Sequence, residues 1–142
     1  MRRLLIVRGL PGAGKSEFAR DWINHRVVAR DAGTPTVCEA DDYFETSEGY
    51  QFDASQLTAA HQNCIDSVRD ALVDEAQFIA VANTFSRRWE FQPYIQMAEE
   101  MGVKYYVVSL YDSGFNDRQL HARCVHNVPL TTISMMRERW EF

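Results

Sequence analysis

The chain has 142 residues and a net charge of −5, from 15 basic and 20 acidic side chains. This length favours one domain over residues 1–142, and the acidic balance argues against a broad basic face for nucleic acid. No apolar run is long enough to cross a membrane, and the three scattered cysteines lack metal-binding spacing. We therefore expect a cytoplasmic protein with reduced thiols and no membrane association.

The predicted elements alternate between short β-rich runs and helical patterns, which is typical of an α/β domain with a parallel sheet. In chain order they are a strand over 4–8, a helix over 15–24, a loop over 29–36, a strand over 36–39, a helix after 53, a strand over 78–82, a helix over 89–101, a strand over 103–110, and helices over 117–123 and 130–140. This order predicts a three-layer sandwich around a mostly parallel sheet of about four or five strands.

Several local signals set the predicted helix ends. Asp53 is expected to cap the long helix, with Gln56 completing a capping box. Pro93 breaks or restarts the helix over 89–101, and Gly102 suits its carboxyl end. The charged run at 137–139 is expected to form a solvated helical face.

Residues 9–16 read Gly-Leu-Pro-Gly-Ala-Gly-Lys-Ser and fit the pattern GxxxxGK[ST] between a strand and a helix. The backbone N–H groups of such a loop and the helix N-terminus together attract phosphate. Lys15 is suited to the β- and γ-phosphates of ATP and the Ser16 hydroxyl to Mg²⁺, so both cofactors are expected; the alternative is a purely structural turn. The predicted nucleotide-binding residues are Gly9, Pro11, Gly12, Ala13, Gly14, Lys15, Ser16 and Glu17.

Asp41 and Asp42 follow the predicted second strand. Ligands of open parallel sheets bind at the carboxyl ends of the strands, so a carboxylate there is suited to accept the proton of an attacking hydroxyl or to support the metal. The alternative is a solvated acidic turn.

With these features in hand, the chain resembles the polynucleotide-kinase-like P-loop kinases, small ATP-binding proteins of the AAA family related to phage 5′-polynucleotide kinase. The resemblance covers nearly the whole chain and rests on the order and spacing of short segments, namely 5–12, 40–44, 52–53, 60–61, 83–84, 89–90, 93–94, Arg123, His126 and 128–129. It implies that Asp41 is the general base toward a 5′-hydroxyl, and the metal is then expected to be supported by Ser16 with Asp41 or Asp42. It further implies that Arg123 reaches the transferring phosphoryl group from a lid over about 112–129.

The chain departs from this family at three places. Phe44 stands where the phage kinase has an arginine for the substrate phosphate. Residues 82–85 read Ala-Asn-Thr-Phe where many relatives read Asp-Asn-Thr-Asn, so the acid after the third predicted strand is missing. Residues 123–127 read Arg-Cys-Val-His-Asn where the lid usually reads Arg-Asn-x-His-Gly. These changes leave ATP binding intact and leave the acceptor open.

The remaining candidates belong to the substrate side of the site. Arg87 and Arg88 either hold an acceptor phosphate, replacing the missing arginine, or form a solvated turn. His61 is either a core histidine or a substrate contact, and His126 is either a polar lid residue or a plain loop histidine. The predicted substrate-binding residues are Asp42, Asn83, Thr84, Arg87, Arg88, His61 and His126.

The expected function is ATP-dependent transfer of the γ-phosphate to a hydroxyl, with a nucleotide or a nucleic-acid 5′-end as acceptor. A nucleoside or small-molecule kinase is one alternative. A non-catalytic nucleotide-binding regulatory module is another, favoured by Phe44 and Ala82 and opposed by Lys15, Asp41 and Arg123.

Overall fold

The computed structural model describes residues 2–26 and 36–142, and the predicted loop over 29–36 lies outside these ranges except for Thr36. The strands are β1 (Arg3–Gly9), β2 (Thr36–Cys38), β3 (Glu45–Thr46), β4 (Gly49–Tyr50), β5 (Phe78–Asn83) and β6 (Lys104–Tyr111). The α-helices are α1 (Lys15–Arg26), α2 (Leu57–Val73), α3 (Gln92–Glu100), α4 (Asp117–Arg123) and α5 (Leu130–Glu138). Three 3-10 helices cover Ala40–Phe44, Ala54–Gln56 and Arg88–Glu90.

Four strands form one sheet in the order β2-β5-β1-β6, and every pairing in it is parallel. Cys38 lies beside Val81, and Arg8 lies between Asn83 and Ser109. Parallel strands end at the same edge of a sheet, so the ends of β1, β2 and β5 meet there. This sheet confirms the predicted P-loop α/β fold class.

The sheet is covered on both faces because alternate strand residues point to opposite sides. Leu4, Ile6, Ile79 and Val81 pack with residues of α2 and α3 in the larger buried cluster. On the opposite face, a smaller cluster includes Leu5, Val7, Ala80, Ala82, Ala19 and Ile23, the last two from α1. Burial on both faces explains the continuous apolar run of β1.

A third buried cluster lies at the end of the sheet that carries the phosphate loop. Leu10 and Ala13 of the loop pack there with Leu120 of α4, Ile133 of α5 and Trp140. The two C-terminal helices therefore pack against the phosphate loop, and their position fixes one side of the candidate site.

Arg8 anchors the end of the chain to β1. Its guanidinium is buried, donates hydrogen bonds to the carbonyl oxygens of Phe85 (2.7 Å) and Glu141 (2.6 Å), and lies 4.3 Å from the ring centre of Trp140. Phe85 has a φ of 48°, a region that asparagine enters far more readily than phenylalanine. Its buried ring packs against Tyr94.

Several local predictions need correction. Asp53 caps the 3-10 helix that precedes α2 by accepting a hydrogen bond from the Ser55 N–H, and the Gln56 side chain accepts one from the Tyr43 hydroxyl instead of closing a capping box. Pro93 lies in the first turn of α3, which starts after the 3-10 helix Arg88–Glu90, so the predicted restart of the helix at Pro93 is confirmed. The antiparallel pair β3–β4 has no counterpart in the sequence prediction.

The prediction that residues 137–139 form a solvated helical face is wrong for Arg137. Its guanidinium is half-buried and pairs with Asp112 and Asp117, each at 2.7 Å. Gly102, with a φ of 67°, ends α3 as predicted. No helix within the two described ranges is long and apolar enough to span a lipid bilayer.

Candidate active site

The phosphate loop connects β1 to α1 and is shaped by glycines that no other residue can replace without strain. Gly12 and Gly14 have φ values of 84° and 94°. A Cβ atom at Gly12 would lie 2.3 Å from the carbonyl oxygen of Leu120 in α4. Ser113 also donates a hydrogen bond of 2.7 Å to the carbonyl oxygen of Ala13. The loop is therefore held directly against the segment predicted to be a lid.

Lys15 begins α1, and its side chain turns back over the loop. Its Nζ donates a hydrogen bond of 3.1 Å to the carbonyl oxygen of Leu10. Burial lowers the pKa of Lys15 to about 8, while the nearby carboxylates of Asp41 and Glu39 oppose that shift. The ammonium thus lies between the phosphate loop and two acids, and a bound phosphate would favour its charged form.

Ser16 contacts an acid that the sequence prediction missed. Its hydroxyl donates a hydrogen bond to Oε1 of Glu39, the residue after β2. Burial raises the pKa of Glu39, and the hydrogen bond from Ser16 opposes that shift. In the sequence, Glu39 is an acid at a strand end two residues before Asp41. The adjacent pair Asp41 and Asp42 is the stronger sequence signal of the two.

Asp41 and Asp42 lie in the 3-10 helix Ala40–Phe44 and have different partners. Asp41 is exposed, and its Oδ1 accepts a hydrogen bond of 3.0 Å from the Tyr50 hydroxyl. Asp42 accepts a hydrogen bond of 3.0 Å from the Glu39 N–H, and burial raises its pKa. The carboxylate of Asp42 therefore caps its own helix, while that of Asp41 is held by a side chain of the β3–β4 hairpin.

Asn83 joins β5 to the acidic segment. Its buried side-chain oxygen accepts a hydrogen bond of 2.8 Å from the Ala40 N–H, and its amide nitrogen donates to Sγ of Cys64. Thr84 accepts a hydrogen bond from the Gly9 N–H at 3.2 Å through its backbone carbonyl. Both predicted substrate residues thus hold the phosphate loop and the 3-10 helix in place.

The predicted lid residues contact the phosphate loop and Tyr50, the hydrogen-bond partner of Asp41. Nε of Arg123 donates a hydrogen bond of 2.8 Å to the carbonyl oxygen of Gly12, and the guanidinium lies 4.4 Å from the ring centre of Phe115. His126 stacks on Tyr50, with ring centres 3.7 Å apart and planes 12° from parallel. A continuous set of contacts therefore runs from Asp41 through Tyr50 to the lid.

Other predicted substrate residues are placed differently. Arg88 donates a hydrogen bond of 3.3 Å to the carbonyl oxygen of Phe142, so its side chain is directed to the chain end. Arg87 is exposed, as is His61, and the core-histidine interpretation of His61 is therefore wrong. Phe44 is buried against Tyr50 and Phe52, so packing occupies the place where the phage kinase has its arginine.

These residues fit the phosphates of a nucleotide and an associated Mg²⁺. The loop offers a glycine-rich turn with positive φ at Gly12 and Gly14, an ammonium at Lys15 and a hydroxyl at Ser16. Within residues 2–26 and 36–142, no group of three or more His, Cys, Asp or Glu side chains could hold a metal alone. Such a group is not required, because Mg²⁺ at phosphate sites usually takes only one or two carboxylates and completes its shell with phosphate oxygens and water.

The fold and the loop together define a P-loop kinase-like nucleotide-binding domain. Residues 4–141 match the family described as the AAA domain, and the chain belongs to this family. Human NEDD4-binding protein 2 is 30% identical over 141 residues, which cover 97% of this chain. The chain spans only 8% of the length of that relative.

Two solved structures illustrate the shared fold. A chain of the Pnkp1/Rnl/Hen1 RNA repair complex superposes with a TM-score of 0.68 at 21% identity, covering 97% of this chain and 43% of that one. The APS kinase CysC of Mycobacterium tuberculosis, solved with AMPPNP and APS, gives a TM-score of 0.55 at 14% identity, covering 77% and 62% of the two chains. At these identities the likeness is one of fold.

Proposed function

We propose that this protein is a kinase that transfers the γ-phosphate of ATP to a hydroxyl, with a nucleotide or a nucleic-acid 5′-end as acceptor. The observation that carries the proposal is the convergence of Lys15, Asp41 and Arg123 on one phosphate loop. Asp41 is close enough to Lys15 to oppose the lowering of its pKa, and Arg123 is hydrogen-bonded to Gly12. A cation on each side of a phosphate cradle and a base beside it are the parts that phosphoryl transfer requires.

The roles follow from the chemistry of each group. The loop and Lys15 bind the β- and γ-phosphates, and the Ser16 hydroxyl is the loop's ligand to the metal. Mg²⁺, when bound, neutralises charge on the phosphate oxygens. The acceptor oxygen forms a bond to the γ-phosphorus while the bond to the β-phosphate oxygen breaks, so ADP leaves and Asp41 takes the hydroxyl proton. Arg123 stabilises the charge on the transferring group.

The acceptor side of the proposal rests on the surroundings of Asp41. Tyr50 and His126 present stacked rings next to the base, and rings of this kind suit the stacking of a nucleobase. Arg87 is exposed after β5 and is the cation proposed to meet an acceptor phosphate, together with His61 on α2. The segment 112–129 acts as the lid of a single domain over residues 1–142.

A nucleotide-binding module without catalysis is the second candidate. It is favoured by the contact between the Tyr50 hydroxyl and Asp41, since this contact occupies the proposed base. The absence of an arginine at Phe44 and of an acid at Ala82 points the same way.

The experiment that separates the candidates is a transfer assay with γ-labelled ATP and Mg²⁺. The acceptors are 5′-hydroxyl DNA and RNA oligonucleotides, nucleosides, nucleotides and adenylyl sulfate. The kinase proposal expects one class to be labelled, and Lys15→Ala to abolish both ATP binding and labelling. ATP binding with neither labelling of any acceptor nor ATP hydrolysis would favour the regulatory module.

A further inference from the structure

We propose that Glu39 is the carboxylate that supports Mg²⁺ at the phosphate loop, beside position 82, where the family resemblance implies an acid and this chain has alanine. The inference rests on the proposed ATP-dependent function and names a residue for it that the sequence pattern did not indicate. Three observations support it: the register of β2 on β5, the contact of Glu39 with Ser16, and the hydrogen bonds that Asp41 and Asp42 make to other groups.

The register of β2 on β5 puts positions 39 and 82 side by side. Val37 pairs with Ala80 and Cys38 with Val81, so the next pair along the two strands is Glu39 and Ala82. Glu39 is extended, with φ −139° and ψ 145°, which continues the alternation of side chains along β2. Val37 and Ala82 belong to the cluster under α1, so Glu39 points to the same side. The missing carboxylate and the present one therefore lie on neighbouring strands and face the same helix.

The contact with Ser16 is of the kind that prepares a metal ligand. A serine hydroxyl has one O–H to donate and two lone pairs to offer. The Ser16 O–H is directed at Oε1 of Glu39, so the lone pairs of its oxygen remain for a cation. Partners of this kind orient metal ligands, and their loss typically reduces metal affinity about 10- to 100-fold.

The other two acids of the segment, Asp41 and Asp42, accept hydrogen bonds from groups outside the phosphate loop. Asp41 is engaged by the Tyr50 hydroxyl, and Asp42 accepts a hydrogen bond from the Glu39 N–H. This second contact, together with the hydrogen bond from the Ala40 N–H to Asn83, fixes the backbone from which Glu39 reaches Ser16. Within the described part of the chain, Glu39 is thus the carboxylate that contacts the loop serine.

The test measures binding of a fluorescent ATP analogue as Mg²⁺ is titrated, with a parallel measurement in EDTA. Glu39→Ala is expected to raise the Mg²⁺ concentration for half-maximal enhancement of binding at least about tenfold. Binding in EDTA is expected to stay equal or become tighter, because a negative charge beside the phosphates has been removed. Glu39→Gln, which keeps the size of the side chain, should show the same direction of change.

Two further variants make the test specific. Ala82→Asp in the Glu39→Ala background should restore the wild-type Mg²⁺ requirement, because the carboxylate returns on the neighbouring strand. Glu138→Gln makes the same chemical change as Glu39→Gln at an exposed position of α5 and is the matched control. It should not alter the Mg²⁺ requirement.

An unchanged Mg²⁺ requirement in Glu39→Ala would overturn the inference, as would an equal loss of binding with and without Mg²⁺. If Ala82→Asp does not reverse the higher Mg²⁺ requirement of Glu39→Ala, a carboxylate at position 82 cannot replace one at position 39, and that part of the inference is contradicted. None of these readouts involves transfer to an acceptor. If the Glu39 variants behave as expected and no acceptor is labelled, the kinase proposal fails while the role of Glu39 stands.

Discussion

The hydroxyl of Tyr50 donates a hydrogen bond of 3.0 Å to Oδ1 of Asp41, the proposed general base. Burial and the negative charge of Asp41 raise the pKa of Tyr50, so the phenol keeps its proton at neutral pH. An acceptor hydroxyl must make this same contact in order to lose its proton to Asp41. Tyr50 therefore competes with the acceptor for the base.

Tyr50→Phe should lower the KM for the acceptor about fivefold, since a hydrogen bond is worth about 1 kcal/mol net. The stack on His126 is kept, because the phenylalanine ring remains. Steady-state kinetics against the acceptor found in the labelling panel would measure the change. Tyr43→Phe, which removes a hydroxyl that bonds to Gln56, is the control. An unchanged or higher KM in Tyr50→Phe would show that the hydroxyl does not compete.

Lys15 should couple ATP binding to proton uptake. Its pKa of about 8 in the free protein leaves the amine largely neutral at pH 9, and nucleotide phosphates raise that pKa by favouring the charged form. ATP affinity should therefore fall as pH rises above about 8, by up to about tenfold per pH unit. Calorimetry at pH 9 in buffers of different ionisation enthalpy should detect the proton, and Lys15→Arg should abolish the uptake. Equal apparent enthalpies in all buffers would contradict this account of Lys15.

Gly12→Ala should destabilise the protein more than Gly114→Ala. Both glycines have a φ near 83°, so both substitutions carry a similar left-handed backbone cost of about 1 kcal/mol. Only the Cβ at Gly12 would meet Leu120, whereas nothing lies within 4 Å at Gly114. Urea unfolding should show the difference, and ATP binding should be lost in Gly12→Ala alone. Equal losses of stability would mean that α4 does not pack on the loop as described.

Arg137 should make the protein sensitive to acid. Its hydrogen bond lowers the pKa of Asp112, and hydrogen bonds from Ser134 and then Arg137 lower the pKa of Asp117. Stability from these carboxylates is complete above their unfolded pKa, about 3.9, and is lost as pH falls through the lower folded values. Arg137→Ala should reduce stability at pH 6 and flatten its decline below pH 4, as measured by thermal unfolding. Arg69→Ala, at an exposed pair on α2, is the control. A decline as steep as that of the wild type would contradict this role of Arg137.

Much of the fold was predictable because its signals are local. The loop at 9–16, the buried strands β1 and β5 and the helix α2 follow from spacing within short windows. The hairpin β3–β4 lies between Phe44 and Phe52 and depends on an aromatic cluster that forms only in three dimensions. Its polar strands of two residues each carry too little pattern to be recognised.

The ATP-binding part of the site was predictable from the sequence, and the part that binds the phosphoryl acceptor was much less so. The phosphate loop has a sequence signature, but the contact of Glu39 with Ser16 depends on strand register and side-chain reach. His61 was ambiguous because its helix carries apolar residues on neighbouring positions, and exposure is decided by where that helix meets the sheet. Arg137 looked solvated because its two acidic partners lie on a different segment.

The measurement that tests the kinase proposal most directly compares transfer and binding in Asp41→Asn. Rapid-quench assays with γ-labelled ATP and the labelled acceptor would give the rate of transfer, and calorimetry would give ATP affinity in the same preparation. The account predicts that transfer falls at least about 100-fold, as expected for loss of a general base, while ATP affinity changes little. Transfer at the wild-type rate in Asp41→Asn would contradict it.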